Sequence, residues 1–262
     1  MLRGLYSAAN AMRYRAHEVE VIANNLANVN TDGFKSDRTA FRSFGDLLAY
    51  RLNDQTDKVD KIPVNPKPVG VINLGGPAAE SPYIDFSPGI PKTTGNTLDL
   101  FLDGPGFFTV KTPEGPAYTR AGTFQFNEKG EIVTQTGLPL LSTTGTPIQI
   151  TGTDPIKIGA NGEITQGGTP IGVIDIAEFE DLSALEKIGG NLFDPVDPTV
   201  TPIRTQNTSV EQGSVEASNV DTVGSLVQLI SAQRAYEAAA RAVDMFGRNL
   251  EKVSGELGRL PG

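Results

Sequence analysis

Few side chains in this chain are of types that carry covalent or metal chemistry, and their spacing assembles no catalytic set. His17 is the only histidine and there is no cysteine. Thiolate chemistry, disulfides and transition-metal sites of ordinary composition therefore have no ligands here. His17 lies near Arg13 and Arg15 and reads as a solvated side chain. Gly104-Pro105-Gly106 has the glycine content of a nucleotide loop, but it sits between strand-like runs with no helix after it. Asp99 and Asp103 are two carboxylates among 31 acidic residues, and nothing singles them out as a glycosidase pair. What stands out is hydrogen-bonding capacity. Asn24, Asn25 and Asn28 fall within five residues of one another, ahead of Asn30-Thr31-Asp32-Gly33. Asparagine amides compete with the backbone inside a helix. A helix cap and turn accounts for Asn28 to Gly33, whereas Asn24 and Asn25 make sense if their amides bond neighbouring chains.

The elements that must position these residues are written in two styles. Leu2, Leu5, Ala9, Met12, Ala16, Val19, Ala23 and Leu26 recur in steps of three and four. So do Leu229, Ala232, Tyr236, Ala239, Val243, Phe246, Leu250, Val253, Leu257 and Leu260. Such spacing draws a narrow apolar seam on a helix. It predicts a first helix over Leu2–Val29, with Gly4 as a tolerated blemish, and a last one from near Val220 to about Leu257. Between them, 17 of the 18 prolines lie from Pro63 to Pro202, where a long helix would not survive. Ser36–Tyr50 reads as a short helix, and 51–95 as an extended arm rich in Pro and Gly. From Thr97 onward short strands alternate with turns. Leu98–Leu102 alternates, Leu182–Ile188 reads as a brief helix, Pro195–Thr208 as loop, and Val210–Val215 as a last strand. The expected fold class is α+β. Long terminal helices pack as a coiled-coil-like assembly domain (1–35 and 218–262), followed by the short helix and arm (36–96) and a mainly antiparallel β body (97–217).

Charge is uneven along the chain. The net charge of −9 resides in residues 63–213, which carry 8 Lys and Arg against 17 Asp and Glu. An acidic, turn-rich middle argues against binding a phosphate backbone, which needs clustered cations. The N-terminal apolar positions are interrupted by Arg13, Arg15, Glu18 and Glu20, so the stretch does not read as a cleaved secretory leader. No apolar run approaches the roughly 18 residues of a membrane span.

Three stretches together are specific. Asn24 through Lys35 (NNLANVNTDGFK) resembles the N-terminal signature of the bacterial flagellar rod and hook family, N-N-[LI]-A-N-x-x-T-x-G-[FY]-K, at every fixed position. Gly104–Val110 and Ala117–Phe124 resemble the family's central G-x-G-F-F strand and Y-T-R-x-G-x-F hairpin. Phe107, Phe108, Tyr118 and Phe124 are large enough to anchor a β core, and Arg120 is placed to hold a carboxylate or stack on a ring. Ser218–Asp221 and Leu229–Glu237 are similar to the S-N-V-[DN] opening and the Q-R-[AS]-Y-E helix. Asn219 and Asp221 read there as helix-start residues. Thr222–Ser225 departs from the Glu pair that relatives often carry.

The resemblance spans both ends and the centre of the chain. It implies a structural subunit with no enzymatic activity, cofactor, small-molecule substrate or nucleic-acid partner. Copies would assemble through their terminal helices into a tubular drive shaft that passes torque from motor to hook. The implied partners are copies of itself, adjacent rod and hook proteins, the outer ring bushing and the flagellar export apparatus. The implied location is the basal-body rod, reached without a cleaved signal peptide. The length favours rod members over the longer hook protein, with a distal position ahead of a proximal one. Assembly residues expected on this basis are Asn24, Asn25, Leu26, Asn28, Thr31, Gly33, Phe34, Lys35, Gln233, Arg234, Tyr236, Glu237 and Leu250. From another class, a β-rich carbohydrate-binding protein with helical oligomerisation ends leaves the Asn cluster and Gln233–Glu237 without a role.

Overall fold

The structure, a computed structural model, describes residues 2–39, 41–43, 47–51, 67–72, 77–79, 83–152, 154–197, 199–204 and 207–257. The class is α+β. Helix α1 spans Leu2–Ala27 and helix α2 spans Thr222–Leu257. Every strand pairing between them is antiparallel. Neither helix is long and apolar enough to cross a membrane.

The end of α1 and the start of α2 are set by local hydrogen bonds. α1 stops two residues before the expected Val29, where the Asn28 amide donates to the carbonyls of Asn24 and Asn25 and the chain turns. At α2 the Val223 amide donates to Asp221 Oδ1, a cap that starts the helix after Asp221 rather than at Val220.

The chain divides into two units. One comprises Met1–Ala23, Thr39–Pro82 and Gly224–Gly262; the other comprises Asn24–Arg38 and Tyr83–Val223. The asparagine-rich segment therefore groups with the β-rich unit. In the first unit Gly4 lies against the Phe246 ring, and a Cβ there would come within 2.8 Å of it. The glycine read as a blemish instead makes room for an aromatic side chain.

The short helix expected over Ser36–Tyr50 is not formed. Asp37–Arg38, Phe41–Ser43 and Leu47–Arg51 are strands, paired with Tyr83–Ile84, Pro77–Ala79 and Lys67–Ile72. Short apolar runs fit either period, and available strand partners decide between them. Residues 52–66 of the expected arm lie outside the described residues. Likewise Leu182–Ala184 is only a single 3-10 turn capped by Asp181, after which Leu185–Gly189 joins a sheet. The expected loop 195–208 contains the strand Ile203–Arg204. The expected last strand is two, Ser209–Gln212 and Ser214–Glu216, broken at Gly213 with φ +87°. Those halves pair with different partners, Leu100–Asp103 and Pro91–Thr93.

At the centre of the β-rich unit is a six-stranded sheet ordered Leu185–Gly189, Leu192–Pro195, Pro116–Thr119, Phe107–Lys111, Ile176–Glu178, Ile203–Arg204. Successive side chains of a strand point to opposite faces, and here both faces are covered. Phe108 enters a cluster with Leu100, Val110, Phe124, Leu140 and Ile164. Phe107 enters a second with Tyr118, Phe179, Leu185 and Phe193. Leu98–Leu102, expected to alternate, is buried at every position because packing covers both of its sides.

Candidate assembly interface

The segment after α1 is held by its own side chains. Asn25 is buried, and its amide reads one extended residue on both sides: Nδ2 donates to the Asp37 carbonyl at 2.7 Å and Oδ1 accepts from the Asp37 amide at 2.9 Å. Asn28 Nδ2 donates to the Asn24 carbonyl, and its Oδ1 accepts from Thr31 Oγ1. Gly33 has φ +71° and donates its amide to the Glu216 carbonyl at 2.7 Å. A Cβ on Gly33 would lie 2.4 Å from the Ala121 nitrogen, so both conformation and space require glycine. Phe34 is buried beneath Lys187, whose ammonium sits 4.4 Å from the ring centroid. The same ammonium donates to the Lys35 carbonyl at 2.6 Å and pairs with Asp37 at 2.9 Å.

Lys35 is only 1% exposed. Its Nζ pairs with Glu216 Oε1 at 2.6 Å and donates to the Ser87 carbonyl at 2.9 Å. Glu216 Oε1 also accepts from the Gly89 amide. Arg120 approaches Glu216 Oε2 at 3.5 Å, donates to the Gly104 carbonyl at 2.6 Å, and stacks 5.0 Å from the Phe107 centroid. The two roles read for Arg120 from sequence, holding a carboxylate and stacking on a ring, thus coexist. Burial pulls the pKa of Lys35 down, opposed by the Glu216 carboxylate; burial acts on Arg120 in the same way.

Asn219 ties the two terminal motifs together. Its Oδ1 accepts from the Ser36 amide at 2.8 Å, and its Nδ2 donates to the carbonyls of Asp85 and Ser87. Its helix-start role falls to Asp221. The charged pair Arg38–Asp85 at 2.6 Å borders this junction.

The expected assembly residues therefore separate. Asn25, Gly33, Phe34 and Lys35 are committed inside their own unit. Asn24 is exposed and, with Asn28 and Thr31, lines a groove of about 570 Å3 that Thr123, Gln135 and Asn191 also border. Leu26, Tyr236 and Leu250 are half-buried, and Gln233, Arg234 and Glu237 are exposed. Phe107, Phe108, Tyr118, Arg120 and Phe124 are all buried in the β-rich unit. Sequence reasoning missed Glu216, Lys187 and the bridging role of Asn219. Glu216 adjoins the Ser218-Asn219-Val220 motif, but nothing local marks it as the partner of a lysine 181 positions earlier.

Along α2 the seam positions Leu229, Tyr236, Ala239, Val243, Phe246 and Leu250 are half-buried and Ala232 is buried. Val223, Leu226, Val227 and Ile230 are exposed, Val223 at 72%. α2 thus carries apolar side chains on more than the face its seam covers.

Residues 5–35 match the model of the flagella basal body rod protein, and 211–255 that of the flagellar basal body rod FlgEFG protein C-terminal region. Residues 101–166 match the flagellar hook protein FlgE/F/G D1 domain. The flagellar basal-body rod protein FlgG of Caulobacter vibrioides is 36% identical, covering 97% of this chain and 98% of that protein. The chain belongs to the flagellar basal-body rod protein family. FlgG of Buchnera aphidicola subsp. Schizaphis graminum is 32% identical over 97% of the chain and 99% of its own length. FlgF of Caulobacter vibrioides is 32% identical over 99% and 100%. The family's matched ends contain Lys35 and Glu216, and its D1 match contains Arg120, so the buried ion cluster joins all three matched regions.

Proposed function

We propose that this chain is a structural subunit of the flagellar basal-body rod, with no enzymatic role, that polymerises through its terminal helices into a torque-transmitting tube. The observation that carries this reading is the apolar surface of α2, where Val223, Leu226, Val227 and Ile230 are exposed beside a half-buried seam. In a tube, neighbouring helices complete that surface in a coiled-coil-like layer, and residues 1–35 with 218–262 act as the assembly domain. Open-ended growth needs head-to-tail contact between unlike surfaces. Gln233, Arg234 and Glu237 are suited to lateral polar contacts, and Asn24, Asn28 and Thr31 to contacts at the groove. The acidic middle of the chain faces outward, toward the ring bushing. Adjacent rod and hook proteins cap the tube, and the subunit reaches its place across the periplasm and cell wall through the flagellar export apparatus.

A distal position is favoured by the FlgG relatives, and the FlgF relative keeps a proximal position as the second reading. Electron microscopy of hook–basal bodies carrying a tagged copy separates them. Label in the segment between inner ring and hook is the expected outcome, and its height distinguishes distal from proximal. Label along the hook, or none on the structure, overturns the assignment.

A further inference from the structure

The ion cluster does more than fill space. Lys35 comes from the turn after α1, Glu216 from the strand leading to α2, and Arg120 from the end of a strand in the central sheet. All three are nearly solvent-free, at 1%, 2% and 6% exposure. Glu216 is the carboxylate that both cations share. Asp85 acts on Lys35 and Glu178 on Arg120 as neighbouring charges, while Asp85 pairs with Arg38 and Glu178 accepts from Thr208. Arg120 Nε has no acceptor among the described residues. A buried cation without its counter-ion is far costlier than a missing neutral hydrogen bond.

We infer that Lys35, Glu216 and Arg120 form a coincidence lock, in which the signature turn after α1 docks on the β-rich unit only once the strand Ser214–Glu216 is in place. The backbone enforces the same order. The Gly33 amide bonds the Glu216 carbonyl, and the Gly89 amide bonds the Glu216 carboxylate. A Cβ on Gly89 would fall 1.9 Å from the Ala217 carbonyl oxygen, so segment 87–89 closes directly over the strand. Docked first, the turn buries two cations with no carboxylate between them. Docked first, the strand leaves a buried carboxylate with one amide and a distant guanidinium. A chain that emerges N-terminus first therefore presents Asn24 and Asn28 in final position only after residue 216 has arrived. That surface is the one assigned to assembly above, and the polymerisation consequence rests on that reading. The lock itself does not.

Hydrogen exchange on the full chain tests it. Glu216→Gln is expected to raise exchange about tenfold or more at 33–38 and 85–90 together, with Phe107–Lys111 and Ile132–Thr134 protected as before. Lys35→Met and Arg120→Met combined with Glu216→Leu, which removes all three charges, is expected to restore protection at 33–38 to within about threefold of wild type. Exchange confined to 214–217, or a triple variant no better protected than the single, overturns the lock. If Glu216→Gln does not fold, Glu216→Asp keeps the charge while withdrawing it by one methylene, and the same segments must open first. Polymerisation of the wild-type chain is followed separately by sedimentation. Variants that exchange as described, beside a wild type that never polymerises, count against the rod reading and leave the lock standing.

Discussion

Single residues carry more of this architecture than their types suggest. Gly33 and Gly95 have similar backbone angles, φ +71° and +76°, but a Cβ on Gly95 meets nothing within 4 Å while one on Gly33 meets the Ala121 backbone. Gly95→Ala should cost about 1 kcal/mol, the left-handed penalty alone. Gly33→Ala should cost roughly 2–4 kcal/mol, because backbone must also move. Urea unfolding followed by tyrosine fluorescence compares them, and equal losses would refute the steric account. Asp85 offers a pH test. Burial tends to raise its pKa, but hydrogen bonds from Ser87 and the Arg38 guanidinium outweigh it and hold the carboxyl below its ordinary 3.8. A carboxylate depressed in the folded state adds stability above 3.8, and that contribution disappears as pH falls through the lower folded value. Asp85→Asn should flatten the acid limb of the stability profile below pH ~4 and leave its shape near neutrality unchanged. An unaltered acid limb would show that the pair contributes nothing.

At the scale of elements, the two helices are half-finished objects. A long helix with little covered area is marginal in water, and the exposed Val223, Leu226, Val227 and Ile230 mark where α2 lacks cover among the described residues. Leu26 and Leu250 are half-buried seam residues. Leu26→Asp or Leu250→Asp should raise the concentration needed for polymerisation about tenfold or more, since a buried leucine contributes about 1.5–3 kcal/mol. The far-ultraviolet β signal and the unfolding midpoint of the β-rich unit should hold. A collapsed β unit in either variant would contradict this division of labour, and unaltered polymerisation would remove the helices from the interface.

At the scale of the whole molecule, the α+β class, the two terminal helices, the β-rich centre and the family signatures were all legible in the chain. They rest on patterns that are local in sequence: apolar periods near 3.6, proline placement and turn chemistry. The buried anchors Phe107, Phe108, Tyr118 and Phe124 were legible for the same reason, because large apolar side chains in strand runs have few places to go. What the sequence by itself left open were choices between competing partners. Ser36–Tyr50 reads as a short helix, but Asp37–Arg38, Phe41–Ser43 and Leu47–Arg51 find strand partners in Tyr83–Ile84, Pro77–Ala79 and Lys67–Ile72. The asparagine amides fit a neighbouring chain or their own, and Asn25 was claimed by Asp37. Lys35 reads as an assembly residue, and only the fold brings Glu216 to it across 181 residues. Periodicity and composition determined which elements exist. Only the tertiary structure decided which polar groups satisfy one another, because a buried charge takes its counter-ion from whichever distant segment the fold brings beside it.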